Sequence, residues 1–216
     1  MGADRTATAE VPTPSGLARV HVDGPVGGRG RLVLGHGAGA GVEAVDLLAA
    51  RDAALSLGLQ VVRVEQPWRV AGQRVAEAPT RLDAAWLAVL AHLGPAGAGP
   101  TVLGGRSAGA RVACRTAPAL PYVRGVLCLA FPLVAPNGRS RAAELALPGV
   151  PRLVVQGSRD AFGVPPAGAG VEVTVLAGAD HGFAVRRRDG TTAEQIRTQL
   201  DMAVGDWLAA LLGIRR

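Results

Sequence analysis

The stretch Thr101 to Ala113, TVLGGRSAGARVA, changes from strand-like to helix-like residues around one serine. TVLGG is a short apolar run typical of a buried strand, and AGARVA continues with small residues at helical spacing. Between the two halves, Gly105, Ser107 and Gly109 form the pattern G-x-S-x-G. At a sharp strand-to-helix turn this pattern exposes the serine hydroxyl, and glycine on both sides avoids collision with neighbouring backbone. We therefore expect Ser107 to be a nucleophile at the carboxyl end of a strand.

Strand and helix patterns alternate along the rest of the chain. Short apolar runs predict strands at 17–22, 31–35, 60–65, 101–105, 125–131, 151–157 and 171–176. Amphipathic patterns predict helices at 42–58, at 80–94, after Ser107, and from about Thr192 towards the C-terminus. Strands that are apolar on both faces and alternate with helices indicate a doubly wound α/β fold, with a mostly parallel sheet and helices on both faces. We expect one domain over 17–216, preceded by a polar N-terminal tail over 1–16.

Composition argues against several classes of function. The 216 residues are 49% hydrophobic and 19% charged, as in a folded globular protein, and no apolar run reaches the roughly 18 residues of a membrane span. The net charge is +6, but the arginines are scattered and aromatic residues make up only 3%, so nucleic-acid binding is not expected. The N-terminus has no apolar signal segment, which makes a cytoplasmic location the expectation.

Two further residues are predicted to work with Ser107. Asp160 follows the predicted strand 151–157 in VVQGSRDAFG, and His181 follows the next strand in VLAGADHGFAV. The carboxyl ends of parallel strands meet at one edge of a sheet, so all three side chains are expected there. A serine nucleophile needs a base and an orienting acid, in the chain order Ser, Asp, His that this kind of turn accompanies. We interpret His181 as the base and Asp160 as the acid.

The loop after strand 31–35 has the sequence HGAGAG and is expected to lie beside this serine. Glycines at 37 and 39 let the main chain come close to a reacting carbonyl oxygen. We predict that the backbone N–H of Ala38 is one donor to the developing oxyanion and that the N–H of Ala108 is the other. A lining for an acyl substrate is predicted from four aromatic residues near the same edge: Trp68, Phe131, Phe162 and Phe183.

Arg106 stands directly before the predicted nucleophile. Its charge either pairs with a carboxylate near the sheet edge, for which Glu65 is the candidate, or attracts an acidic acyl group. We favour the pairing with Glu65, since a residue beneath a tight turn is held by internal contacts.

Together, the motifs HGAGAG, GGRSAGAR, QGSRDAFG and GADHGF, in this order, resemble the α/β-hydrolase superfamily over roughly residues 17–212. Within it the chain resembles dienelactone-hydrolase-like enzymes and, more closely, the branch named for a testis-expressed protein and a nonspecific-lethal chromatin-complex subunit. The resemblance implies a triad of Ser107, Asp160 and His181, with oxyanion amides at Ala38 and Ala108. Dienelactone hydrolases carry cysteine at the nucleophile, whereas this chain has serine. The segment after Phe131 is short, so only a minimal cap over the site is expected.

The expected function is that of a serine hydrolase acting on a carboxylic ester or similar small acyl substrate through an acyl-enzyme. No metal or organic cofactor is expected, since no clustered His, Cys and Asp set has the spacing of metal ligands. One alternative is an interaction module that keeps the hydrolase fold without turnover. A second is a dinucleotide-binding protein, because Gly35, Gly37 and Ala40 match G-x-G-x-x-A and Glu65 ends the next strand. The oligomeric state stays open.

Overall fold

Eight strands form one sheet in the computed structural model, which describes residues 7–97, 99–168 and 170–215. The strands are β1 (Ala7–Thr13), β2 (Gly16–Asp23), β3 (Arg31–Gly35), β4 (Gln60–Glu65), β5 (Thr101–Arg106), β6 (Val123–Leu129), β7 (Arg152–Gly157) and β8 (Val171–Leu176). Their order across the sheet is β1-β2-β4-β3-β5-β6-β7-β8. Strands β3 to β8 run parallel, while β1 and β2 are antiparallel to their neighbours. The predicted doubly wound, mostly parallel sheet is therefore confirmed.

Helices cover both faces of the sheet. They are α1 (Val45–Ser56), α2 (Pro67–Val70), α3 (Pro79–Leu93), α4 (Ala108–Thr116), α5 (Ala142–Ala146) and α6 (Ala193–Leu212). Leu32 and Leu34 of β3 pack in one buried cluster with α1 and α6, whereas Val33 between them packs in a second cluster with α3 and α4. Because successive side chains of a strand point to opposite faces, burial on both faces requires the uninterrupted apolar strands seen in the sequence.

The predicted N-terminal tail contains a strand. Residues 7–13 form β1, which pairs antiparallel with β2 and buries Val11 to 1% exposure. Alternating small, β-branched and polar residues in ATAEVPT favour an edge strand, and Pro12 is tolerated there because an edge strand lacks a second neighbour. The boundary predicted at residue 16 is thus corrected to no later than residue 7, and the tail residues 1–6 lie outside the described residues.

The segment between β6 and β7 determines how open the sheet edge is. It holds the five-residue helix α5 and a short bridge between Val134 and Ser140. A segment of this size forms only a small cover, in agreement with the predicted minimal cap. Among the described residues, no helix is both long and apolar enough to cross a membrane.

The start of α6 gives a test of the fold. Thr192 accepts a hydrogen bond from the N–H of Gln195, and the Gln195 side chain accepts one from the N–H of Thr192, which together form a capping box. We predict that Thr192→Ala lowers the free energy of unfolding by about 1 kcal/mol, since a backbone donor loses its partner. Thr192→Ser keeps the hydroxyl and should retain most of the stability. Urea unfolding followed by tryptophan fluorescence measures both, and equal losses would contradict this role of the hydroxyl.

Candidate active site

Ser107 lies at the turn between β5 and α4 in a conformation that side chains rarely adopt. Its φ is 51° and its ψ is −107°. Such a backbone persists only where the surroundings hold it, and it is common at functional sites. Here the N–H of Ser107 donates to the carbonyl of Leu129 at 2.9 Å, and the Ser107 carbonyl accepts from the N–H of Arg111 at 3.2 Å. The turn is therefore fixed to both the neighbouring strand and its own helix.

Three glycines allow this turn to form. A Cβ atom on Gly105 would lie 2.5 Å from the carbonyl oxygen of Gly35, and one on Gly109 would overlap that same peptide group. A Cβ on Gly35 would in turn lie 3.3 Å from the Cα of Gly109. The glycines of the G-x-S-x-G pattern are therefore needed because α4 lies close to β3, and Ser107 lies at the turn between β5 and α4.

The three residues predicted from separate motifs are connected by hydrogen bonds. His181 Nε2 lies 3.0 Å from Ser107 Oγ, and His181 Nδ1 lies 2.8 Å from Asp160 Oδ2. An ionised carboxylate only accepts hydrogen bonds, so Nδ1 carries the ring proton and Nε2 is left to accept from the serine hydroxyl. This arrangement can transfer the hydroxyl proton of Ser107 to His181.

Asp160 has additional partners that hold its carboxylate. Its side chain is fully buried, and its Oδ1 accepts from the N–H of Phe162 at 2.9 Å. Its Oδ2 also accepts from Gln156 Nε2 at 2.7 Å. Gln156 was not singled out from the sequence, although an amide directly after the apolar run Leu153–Val155 of β7 is a signal that could have identified it. Because these bonds fix both carboxylate oxygens, Asp160 holds the ring of His181 in one orientation.

The two predicted oxyanion donors come from the start of α4 and from the loop after β3. Ala108 begins α4, so its N–H belongs to the group of donors that have no partner within their own helix. Ala38 is exposed in the loop that follows β3. A Cβ on Gly37 would lie 3.3 Å from Ser107 Cβ, so this loop passes directly beside the serine. The donor roles of Ala38 and Ala108 both stay predictions.

His36, to which the sequence analysis gave no role, shapes that loop. Its Nδ1 donates to the carbonyl of Gly37 at 2.8 Å, and its Nε2 accepts from the N–H of Gln66 at 3.1 Å. Burial lowers the pKa of His36, which favours the neutral ring that this pair of bonds requires. In a trans peptide the N–H points opposite to the carbonyl, so holding the Gly37 carbonyl directs the Ala38 N–H away from His36. The signal for this role was a histidine directly after a strand.

The four aromatic residues predicted to line an acyl pocket divide into two groups. Phe162 is partly exposed and contacts the His181 ring edge-on, with ring centroids 4.6 Å apart. Trp68, Phe131 and Phe183 are at most 3% exposed and belong to the two core clusters. Phe131 and Phe183 complete the core beneath the loops, so their assignment to the pocket lining is corrected. Trp68 also lines a small pocket together with Ala108 and Gly109, and its assignment stays a prediction. Phe162 is the one of the four that presents a surface beside His181.

The predicted partner of Arg106 is also corrected. Arg106 Nε lies 3.1 Å from Asp46 Oδ2, and Arg106 Nη2 donates to the carbonyl of His181 at 3.0 Å. Glu65 instead pairs with Arg19 at 3.3 Å. The internal pairing favoured from the sequence holds, but its carboxylate comes from the first turn of α1, which no local pattern connects with Arg106.

Asp46 is an unusual group for this position because its side chain is 1% exposed. Burial raises its pKa from an ordinary value of 3.8 to about 6, and the nearby Arg106 charge opposes that rise. The effect of burial on this pKa is therefore larger than the opposing effect of the Arg106 charge.

The structure argues against the dinucleotide alternative. In a dinucleotide fingerprint the helix begins within the glycine loop, so that its N-terminus meets the phosphates. Here α1 begins at Val45, well after Gly35 and Gly37, and Gly35 packs against Trp86 and Gly109 instead. Within the described ranges, no group of three or more His, Cys, Asp or Glu residues could hold a metal ion.

Comparison with known proteins agrees with this fold. A family described as an alpha/beta hydrolase domain matches residues 28–209, which is most of the chain. The protein therefore belongs to the α/β-hydrolase family, as the sequence motifs predicted; the narrower branches named above stay predictions. No curated protein sequence matches the chain.

Solved structures show the same fold. A serine hydrolase homologue from Coxiella burnetii is 19% identical, with 95% of this chain and 99% of that one covered and a TM-score of 0.73. A serine hydrolase without a lid from Xanthomonas campestris is 21% identical, with 96% of each chain covered and the same TM-score of 0.73. An esterase from Pyrobaculum calidifontis is 18% identical, with 97% and 85% covered and a TM-score of 0.67.

The glycine contacts beneath Ser107 can be tested by adding one methyl group. Gly109→Ala places a Cβ inside the Gly35 peptide, so we predict a loss of folded protein or a destabilisation of at least about 3 kcal/mol. Gly149→Ala is the matched control, because a Cβ there meets no atom within 4 Å. Thermal unfolding of both variants provides the measurement. A Gly109→Ala protein as stable as the control would contradict the proposed packing.

The raised pKa of Asp46 predicts a dependence of stability on pH. Between pH 3.8 and about 6 the folded protein holds more protons on this group than the unfolded chain does, so the free energy of unfolding falls as pH rises. Relative to Asp46→Asn, which lacks this titration, the wild type should lose about 2 kcal/mol between pH 4 and pH 7. Urea unfolding at several pH values measures the difference. A difference that does not change with pH would show that the Asp46 pKa is not raised.

Proposed function

We propose that this protein is a serine hydrolase that cleaves a carboxylic ester or similar small acyl substrate through an acyl-enzyme. One observation carries the proposal: Ser107 at the strained turn is hydrogen-bonded to His181, which is hydrogen-bonded to the buried Asp160. These bonds connect a nucleophile, a base and an orienting acid in the sequence that acyl transfer needs.

In the first half of the reaction, His181 Nε2 takes the proton from Ser107 Oγ as the oxygen attacks the substrate carbonyl. The carbonyl oxygen becomes an oxyanion, which the N–H groups of Ala108 and Ala38 stabilise. Removing one such donor typically costs about 2.7 to 4 kcal/mol in the transition state. Asp160 keeps the His181 ring in the required tautomer and stabilises its cation. His181 then gives its proton to the departing alcohol, leaving the acyl group on Ser107.

In the second half, water takes the place of the alcohol. His181 removes a proton from the water as its oxygen attacks the acyl carbonyl, and the same two amides hold the new oxyanion. The proton returns to Ser107 Oγ as the carboxylic acid leaves, and the enzyme is restored.

The surroundings of Ser107 favour a small substrate that approaches from solvent. Helix α5 is too short to form a deep lid, and Phe162 gives an apolar ring next to His181. The similar structures include proteins described as a serine hydrolase without a lid and as an esterase, which agrees with an ester as substrate.

The first test is labelling with a fluorophosphonate, followed by intact-mass measurement. We predict one adduct on the wild type and none on Ser107→Ala. Ser56→Ala is the control, because the Ser56 hydroxyl donates to a carbonyl within α1 and has no base beside it. Hydrolysis of p-nitrophenyl acetate should fall to background in Ser107→Ala and by about 10⁴-fold in Asp160→Asn, which loses the correct ring tautomer.

A folded wild type that gains no adduct and releases no p-nitrophenol would overturn the proposal. The hydrolase fold would then serve as an interaction module, which was the alternative left open from the sequence. An adduct that persists in Ser107→Ala would place the reactive residue elsewhere.

A further inference from the structure

The Arg106 guanidinium joins three segments that each contribute to the site. Its Nη2 donates to the main-chain carbonyl of His181 at 3.0 Å, and its Nε lies 3.1 Å from Asp46 Oδ2 on α1. Its Nη1 lies 3.0 Å from where a Cβ of Gly37 would be, against the loop of the predicted oxyanion donor. Arg106 itself is the last residue of β5, directly before Ser107.

We propose that Arg106 and Asp46 form a buried positioning pair that holds the backbone of His181 in register with Ser107. This inference rests on the proposed function, since it assigns the pair a role in the same reaction. Neither residue touches the reacting atoms, and both act through His181.

The loop that carries His181 is held from the β7 side by Arg159, whose N–H donates to the carbonyl of Ala179 at 2.9 Å and whose Nε donates to that of Gly178 at 2.7 Å. It follows β8, which is the edge strand of the sheet and pairs on one side with β7. Asp180 holds the loop together internally, because its Oδ1 accepts from the N–H groups of Gly182 at 2.8 Å and Ala184 at 2.9 Å. These bonds fix the shape of the loop without connecting it to Ser107. The bond from Arg106 to the His181 carbonyl makes that connection through the main chain.

Asp46 gives Arg106 its orientation and balances its charge. Both side chains are buried, at 10% and 1% exposure, so the loss of either partner leaves an uncompensated charge. Arg106 and His181 are the charged or titratable groups whose fields reach Asp46, and both lower its pKa. The pair therefore positions the base and offsets the Arg106 charge beside it.

The geometry also separates this role from substrate binding. An arginine that recognises an acidic acyl group presents free donors to solvent. Arg106 is 9% exposed overall, and its guanidinium faces Asp46, the His181 carbonyl and Gly37. The acidic-substrate alternative from the sequence therefore has little support in these contacts.

The test compares Arg106→Gln, Asp46→Asn and the double variant in hydrolysis of p-nitrophenyl acetate. A displacement of about 1 Å in a reacting group costs about 10²-fold in rate, so we expect kcat to fall by 10- to 100-fold with KM changed less than threefold. Because the two residues act as one unit, the double variant should be no slower than Arg106→Gln. Arg106→Lys, which keeps the charge towards Asp46, should recover part of kcat.

A second buried ion pair supplies a matched control. Arg63 and Asp23 lie 3.1 Å apart with side chains 2% and 3% exposed, on β4 and at the end of β2. Arg63 also pairs with Glu43 and so keeps one carboxylate partner in Asp23→Asn; this variant should lower the melting temperature while leaving kcat within twofold of the wild type. An equal loss of kcat in Asp23→Asn and Asp46→Asn would show that Asp46 affects kcat only through general destabilisation, which would overturn the proposal.

Nuclear magnetic resonance gives a readout that needs no turnover. The His181 Nδ1 proton, bonded to Asp160, should produce a downfield resonance that is absent in His181→Asn. We expect it in the wild type and expect it to broaden or vanish in folded Arg106→Gln. If Arg106→Gln does not fold, the double variant, which buries no unpaired charge, replaces it.

A sharp, unshifted resonance or an unchanged kcat would overturn the positioning role. A wild type that shows the resonance but no hydrolysis would reject the proposed function alone.

Discussion

The site depends on the contact between the backbone of Gly35 on β3 and the start of α4. Gly105 and Gly109 lie so close to the Gly35 peptide that a Cβ atom on either residue would overlap it. This approach forces the chain through a turn in which Ser107 takes a positive φ, and it directs the first N–H groups of α4 to the same edge. The strain at Ser107 is tolerated because a paired strand on one side and a helix on the other fix the turn between them.

Buried polar groups then align the other components around that turn. Gln156 and the N–H of Phe162 hold Asp160, Asp160 holds the His181 ring, and Arg106 holds the His181 main chain. Each of these hydrogen bonds lies in a region of low dielectric, where losing one partner would be costly. The polar network is therefore rigid without the support of a large cap, and the edge of the sheet can stay open to solvent.

Local patterns in the sequence predicted much of this arrangement. The apolar strands and the G-x-S-x-G turn specified the parallel sheet, and the positions of Asp160 and His181 after successive strands predicted that they would meet Ser107. The same reasoning misplaced Phe131 and Phe183, since an aromatic residue in a loop after a strand shows the same sequence pattern whether its ring lies in the core or in a pocket. It also placed β1 in a tail, because an edge strand with alternating polar residues resembles an irregular segment.

The sequence by itself determined the class of fold, the nucleophile turn and the order of the catalytic candidates, because each follows from local periodicity, glycine sterics or the rule that parallel strands end at one edge. Only the tertiary structure decided that Asp46 rather than Glu65 pairs with Arg106, that His36 orients the Gly37 peptide, and that Gln156 holds Asp160. These pairings join residues from different elements through buried hydrogen bonds and charges. Their partners are selected by the packing of the whole domain, which no short stretch of sequence encodes.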